Sequence, residues 1–418
     1  MSQTPLDYFE TVEETGPILQ QSGHPTATWF LAGSRLFERF SYYGTRGLFA
    51  SYMIKSLNID QGETAVTYGF ILALGYLLLI PGGLLGDFVL GSRKAMVLGL
   101  SLSSLGCMAL AWMPGLSGFY AGAGMFLVGS GLYGPNFLAQ YAKNYRSHLG
   151  RMDAGVYILF FCVNLGAFLG PSLVGWSARL WSYPIGFAMC GCAGLVSLVV
   201  LLFSARDTSP QSDSLQTVSG NKPDWVFVCL VSSVVVVFWP VFESFRGELD
   251  AVRMGHYIPI FLNSGLLVTM GFLIASIAFG YTKLDDKLKG AAGFGLLGLG
   301  VCIFFLSVAF QAISKGESAI LSRPVSLSLM GLFVLSELLI SPLVVLVLAK
   351  NIPQKYLGLA MGLMASLSYL SYRLAAFLEA ISTAYGLSWY IGIAALTTLG
   401  IAILFFMLWN RGRNGIKE

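Results

Sequence analysis

The sequence predicts an all-α integral membrane protein with 12 transmembrane helices in two six-helix bundles. Charged residues fill only 11% of the 418 positions while 56% are hydrophobic, whereas soluble domains carry about a quarter charged residues. The mean hydropathy is +0.72. Apolar runs of about 20 residues, long enough to cross a hydrocarbon core at about 1.5 Å per residue, recur between polar turns. The 49 glycines and 15 prolines suit close-packed, locally broken membrane helices.

Residues 1–28 are polar and acidic, without the basic start and short apolar core of a cleavable signal, and are expected to form an N-terminal tail. Twelve spans follow, near 29–54, 66–88, 94–112, 119–141, 154–176, 184–203, 224–246, 256–280, 291–311, 325–349, 356–379 and 388–409. The longest polar interruption, SARDTSPQSDSLQTVSGNK from Ser204 to Lys222, is a linker rich in Ser, Thr, Pro and Gly. It sets an N-terminal bundle at 29–203, a linker at 204–223, a C-terminal bundle at 224–409 and a tail at 410–418. Two such halves suggest motion around a central site. Lysine and arginine gather in loops on one side, among them Arg93, Lys94, Lys143, Arg151, Lys289 and Lys350, which predicts that both termini are cytoplasmic.

Composition also narrows the chemistry. The six cysteines lie inside apolar runs without CxxC spacing, and the three histidines fall in or beside loops, so neither a disulfide framework nor a metal centre is expected. There is no GxSxG, HExxH or Walker motif, so an enzyme or an ATP-driven pump has little support. The net charge of +4 reports topology rather than nucleic-acid binding. No cofactor is expected.

The first span, Trp29 to Ile54, carries Arg35, Glu38, Arg39 and Arg46. Four charges against lipid are expensive, so they face protein or water. With Tyr42 and Tyr43 they recur at spacings of three, four or seven and cluster on one broad face, a candidate cavity wall. A structural network between helices is the alternative, but the surplus of Arg over Glu favours water or an anionic ligand.

The second span ends in PGGLLGDFVLGSRK, where Asp87 stands at the membrane edge in a gating or turn-capping role. In the fourth, Gly134, Pro135 and Asn136 fall near mid-membrane, and Asn136 suits either a kinked gating helix or a ligand contact. Asn164 in the fifth is a candidate contact, although a lone Asn more often joins helices. Glu243 in the seventh and Glu337 in the tenth are carboxylates in apolar runs, which must pair with cations or hold a proton. Arg373 and Glu379 lie nearer the ends of the eleventh and are expected to meet solvent or headgroups.

These residues resemble the proton-dependent oligopeptide transporter family of the major facilitator superfamily. ERFSYYG from Glu38 to Gly44 is similar to the second half of its ExxERFxYYG signature. Asp87 with Gly91, Arg93 and Lys94, the Asn164–Gly166 pair, FWPVFES around Glu243 and SELLISP around Glu337 match in order along nearly the whole chain.

The resemblance implies alternating access, import of di- or tripeptides or small zwitterions, and drive by protons. It makes Arg39 a contact for the peptide carboxylate, Glu337 the partner of its amino terminus, Tyr42 and Tyr43 cavity walls, and Glu38 and Glu243 parts of the proton-coupling network. The implied setting is a bacterial inner membrane, with lipid, protons and a small solute as partners and a single chain sufficing. Two departures stand out. Arg35 replaces the signature's first Glu, and Gly134 replaces a Lys that precedes the proline of the fourth helix. Surplus cavity Arg leaves an organic-anion or drug-like solute exporter as the second reading, and a non-transporting membrane receptor as a third.

Overall fold

The computed structural model describes residues 23–204, 228, 231–232, 236–242, 264–281, 284–315, 323–385 and 387–414. Among them every regular element is helical. The N-terminal half contains α1 (Thr26–Lys55), α2 (Gln61–Leu77), α3 (Leu79–Leu85), α4 (Ser92–Trp112), α5 (Gly115–Asn144), α6 (Met152–Leu180) and α7 (Tyr183–Phe203). The C-terminal half contains α8 (Ser264–Tyr281), α9 (Asp286–Lys315), α10 (Arg323–Asn351), α11 (Leu357–Tyr385) and α12 (Leu387–Asn414). Every expected span, where described, falls on helical residues, as a numbered helix in all but the seventh, with α2 and α3 forming one span broken at Leu78. The seventh is described only at 228, 231–232 and 236–242, so Glu243 lies outside the described residues, as does most of the linker.

Seven described stretches are apolar and long enough to cross a membrane unaided. Helix α1 is as long as any, at 30 residues, but holds the four charges already noted.

The helix ends follow capping chemistry. Asp60 accepts from the backbone N–H of Gly62 and Glu63 and starts α2 five residues before the apolar run. Asp285 does the same for α9 through Lys287 and Leu288, which draws Asp286 and Lys289 into the first turn. At the other end of the α2–α3 span, a π-helical turn at Gly86–Leu90 stops at Gly91, whose φ of +78° favours glycine.

Large apolar side chains such as Val66, Trp112, Phe203 and Leu396 are exposed, which in a membrane protein is the lipid-facing surface. Inside, one apolar cluster joins the halves, from Leu31, Met96 and Tyr141 to Phe294, Leu343 and Phe405. The halves come into backbone contact where α3 meets α11. A Cβ on Gly83 would overlap the carbonyl of Gly358, and one on Gly362 would overlap that of Leu79, so these backbones touch only because both positions are glycine.

Candidate functional site

A cavity of about 190 Å³ lies between the halves. Helix α1 contributes Arg35, Arg39, Tyr42, Tyr43 and Arg46, which is the polar stripe read from the sequence apart from Glu38. Helix α5 contributes Leu127, Ser130, Gly134 and Leu138, one helical face at spacings of three and four. Tyr76 and Leu79 come from the second span, and α11 supplies only Ala365 and Ser368.

Glu38 organises the charges of α1. Arg39 donates through Nε to Oε2 at 2.7 Å and through Nη2 to Oε1 at 2.6 Å, while Arg35 Nη1 donates to the same Oε2 at 3.1 Å. Arg35 and Glu38 are only 7% and 4% exposed, so their desolvation is offset by this pairing rather than by water. Aromatic faces complete the setting. The Arg39 guanidinium lies 4.4 Å from the Tyr42 ring centroid, and Arg35 lies 4.9 Å from Phe137 and 5.5 Å from Tyr133. Nearer the far end of α1, Arg46 Nε donates to the Tyr68 hydroxyl at 3.2 Å.

The other sequence candidates sit elsewhere. Asn136 is fully buried, and its Nδ2 donates to the carbonyls of Gly82 and Leu132, tying α5 to α3. Two residues beyond cavity-lining Gly134 is about 200° around a helix, which turns Asn136 to the opposite face. Asn164 bonds within its own helix to the Phe160 carbonyl. Glu337 is buried in α10 beside Leu338, which packs with Tyr157 and Phe272, and it does not line this cavity. Arg373 is exposed, as expected.

At the end of the bundle that carries the Lys- and Arg-rich loops, two sets of polar contacts join the halves. Asp87 accepts from the backbone N–H of Gly358 at 3.1 Å and of Leu359 at 2.7 Å, placing a carboxylate on the N-terminus of α11. A square of charges joins Asp153 of α6 to α9 and α10. Lys289 Nζ donates to Asp153 at 2.5 Å and Asp286 at 3.1 Å, and Lys350 Nζ donates to Asp286 at 2.7 Å and Asp153 at 3.3 Å. In the sequence Lys289 and Lys350 stand out only as topology signals. Their position at helix ends on Asp153's side of the membrane was the available clue.

The sequence model of the Major Facilitator Superfamily matches residues 31–376. Among curated relatives, "Dipeptide and tripeptide permease B" of Aliivibrio fischeri (strain MJ11) is 27% identical over 281 residues, covering 67% of this chain and 48% of that protein. "Dipeptide and tripeptide permease A" of Escherichia coli (strain K12) is 29% identical over 202 residues, 48% of this chain and 39% of the relative. These matches therefore span half or less of the relatives' length. A longer one, to "Dipeptide and tripeptide permease B" of Edwardsiella piscicida, is 26% identical and covers 84% of this chain and 85% of that protein. Among solved structures, a POT family transporter in complex with 5-aminolevulinic acid aligns at TM-score 0.65 and 18% identity, covering 93% of this chain and 98% of that one. Peptide transporter POT in complex with sulfate aligns at TM-score 0.57 and 19% identity, covering 93% and 95%. At these identities the structural likeness speaks to the fold.

Proposed function

The chain belongs to the Major Facilitator Superfamily, and from that premise we propose that it is a proton-coupled secondary transporter of di- or tripeptides or related small zwitterions, working by alternating access. The observation that carries the reading is the cavity between the halves, walled by Arg35, Arg39, Tyr42 and Tyr43, with Glu38 pairing both arginines. The names of the curated relatives support peptides as the solute.

In this reading the Lys- and Arg-rich end is cytoplasmic in a bacterial inner membrane, both termini lie there, and one chain suffices. The contacts of Asp87 and Asp153 then hold the inner side closed. The peptide carboxylate binds the arginines of α1, and its amino group is drawn toward the Glu337 side. Protonation of Glu38 releases Arg35 and Arg39 from their shared carboxylate, which couples proton uptake to rearrangement of the cavity wall. Glu243 belongs to the same coupling in this reading, and no cofactor takes part.

A second reading, an organic-anion transporter on the same scaffold, is favoured by one observation: no described residue lining the cavity is acidic, while three are arginine. Purified protein in liposomes, given a mixed peptide library with and without an inward proton gradient, separates these readings. Gradient-stimulated peptide uptake supports the first. Peptide uptake indifferent to the gradient removes proton coupling, and no peptide uptake removes the peptide assignment.

A further inference from the structure

We infer that Arg35 is a further cation on which a solute's anionic group docks, and that it gives the cavity a preference for peptides with an acidic side chain over neutral ones. This rests on the peptide-transport reading above and deepens it.

The two guanidinium groups are not equivalent. Arg39 has its Nε–Nη2 edge already occupied by the two oxygens of Glu38. That edge is one of a guanidinium's two bidentate surfaces, and Glu38 covers it, which leaves Arg39 only the Nη1–Nη2 side for a second carboxylate. Arg35 gives Glu38 a single contact, through Nη1. Among the described residues Glu38 is the one hydrogen-bond acceptor Arg35 has, and Arg35 Nε is buried without any. The Tyr133 and Phe137 rings beside it stabilise positive charge but offer no oxygen acceptor to that N–H. Of the seven buried side-chain polar atoms without a hydrogen-bond partner among the described residues, Arg35 Nε is the one on a charged side chain, a donor that a ligand oxygen would complete. Arg35 also lines the cavity, so its guanidinium borders the space a solute enters, and its Nε meets a ligand oxygen once the side chain turns toward that space.

Charge points the same way. One carboxylate shared by Arg35 and Arg39 leaves that triad with net positive charge, and Arg46 adds a third guanidinium to the described wall. A neutral zwitterionic dipeptide brings one carboxylate and one ammonium into this field, and the field repels the ammonium. An acidic side chain adds a second carboxylate, so that one anionic group can take Arg35 while the other meets the remaining positive wall. A basic side chain does the reverse. Discrimination by one added charge-assisted pair in a partly desolvated cavity is expected to reach about tenfold.

The test is uptake of Ala-Glu, Ala-Gln and Ala-Lys into proteoliposomes containing the full chain, at one pH and one proton gradient, with glutarate as a competitor lacking a peptide bond. The expected kcat/KM ratio of Ala-Glu to Ala-Gln is about ten or more, with Ala-Lys lowest. Arg35→Gln is expected to bring the ratio close to one, and Arg35→Lys to retain part of it. A wild-type ratio at or below one overturns the preference while leaving peptide transport standing. A ratio unchanged in an Arg35→Gln protein that elutes and melts like wild type overturns the assignment to Arg35; should that variant not fold, a full wild-type ratio in Arg35→Lys, which keeps the charge but not the fork, overturns it instead. Uptake of none of the three peptides overturns this inference and the proposed function together, and inhibitor binding by glutarate alone would then assign the cavity to organic anions.

Discussion

Arg39 grips the carboxylate of Glu38, its neighbour in the chain, by two parallel bonds of 2.7 and 2.6 Å. Adjacent helical residues point about 100° apart, so the contact exists only because the long arginine folds back along the cavity wall. One carboxylate thereby sets the position of both Arg39 and Arg35, and protonating it would free both.

Glu38→Gln tests that control. Glutamine keeps the size but offers one acceptor oxygen and no charge, so the bidentate grip on Arg39 and the bond from Arg35 cannot both persist. Hydrogen bonds to charged groups contribute about 1.5–3 kcal/mol each. Uptake is expected to fall at least about tenfold, the equivalent of roughly 1.4 kcal/mol, and the remainder to be insensitive to an inward proton gradient. Initial rates with and without the gradient decide this; gradient-stimulated uptake at the wild-type level removes Glu38 from coupling.

Arg39→Ala deletes a cavity cation and the countercharge of Glu38, and is expected to abolish uptake or to lower it by more than about tenfold. Arg39→Lys restores the charge without the planar fork and is expected to recover only part. Concentration series at matched protein levels provide the measure. Wild-type kinetics in the alanine variant would exclude Arg39 from the transport cycle.

What the sequence revealed about this site was local, and what it hid was tertiary. The stripe of Arg35, Arg39, Tyr42, Tyr43 and Arg46 lies on one helix, so spacing alone placed it on a common face, and the cavity is there. The spans were legible because lipid exposure demands continuous apolar runs. Asn136 was ambiguous, since its direction depends on which face of α5 meets the cavity, and the small residues at 130 and 134 take that face instead. The Asp153–Lys289 bond joins residues 136 positions apart, and no local pattern links them. Asp87 was visible as a polar residue at a membrane edge, but its partners are backbone N–H groups of α11, which any sequence would supply.

Lys289→Met addresses the charge square. The Lys289 side chain has 0% exposure and bridges Asp153 to Asp286, and without it the two carboxylates share only Lys350. Breaking a fully buried pair costs about 3–5 kcal/mol. Less is expected here, because the Lys350 side chain keeps 31% exposure and can screen both acids. The expected result is a larger population open at this end, seen as longer distances between spin labels on α6 and α10. An unchanged distance distribution would show that the square is not a latch.

His24, just before α1, accepts or donates at Nδ1 with the Tyr145 hydroxyl, 2.9 Å away. Burial above all, then the nearby positive charge of Arg151 and His148, holds its pKa below the usual 6.5. A folded pKa below the unfolded one favours the neutral ring, so this contribution to stability is complete above about pH 6.5 and is lost as pH falls from there through the folded value. Acidification from about pH 7 to 5 is expected to lower the melting temperature less in His24→Gln than in wild type. Parallel slopes for the two proteins would remove His24 as a source of the acid sensitivity.

Arg35→Glu and Gly134→Lys test whether a cation can move from α1 to α5. Both positions line the same cavity, and Arg35 lies against Tyr133 and Phe137, which flank Gly134 on α5. A Cβ at Gly134 would meet only the Leu79 Cδ2 methyl at 3.3 Å, the end of a side chain that can rotate, so a lysine has a way into the cavity there. Arg35→Glu alone sets a second carboxylate one helical turn from Glu38 with Arg39 as their nearest shared cation, and uptake is expected to fall more than about tenfold. Adding Gly134→Lys returns a positive charge to the same space and is expected to recover part of that loss, with a coupling of about 0.5–3 kcal/mol between the two sites. Uptake by wild type, both singles and the double, at equal membrane insertion, measures it. If the double variant is no better than Arg35→Glu, the cation is tied to α1, and Gly134 serves to let α5 pack rather than to leave room for charge.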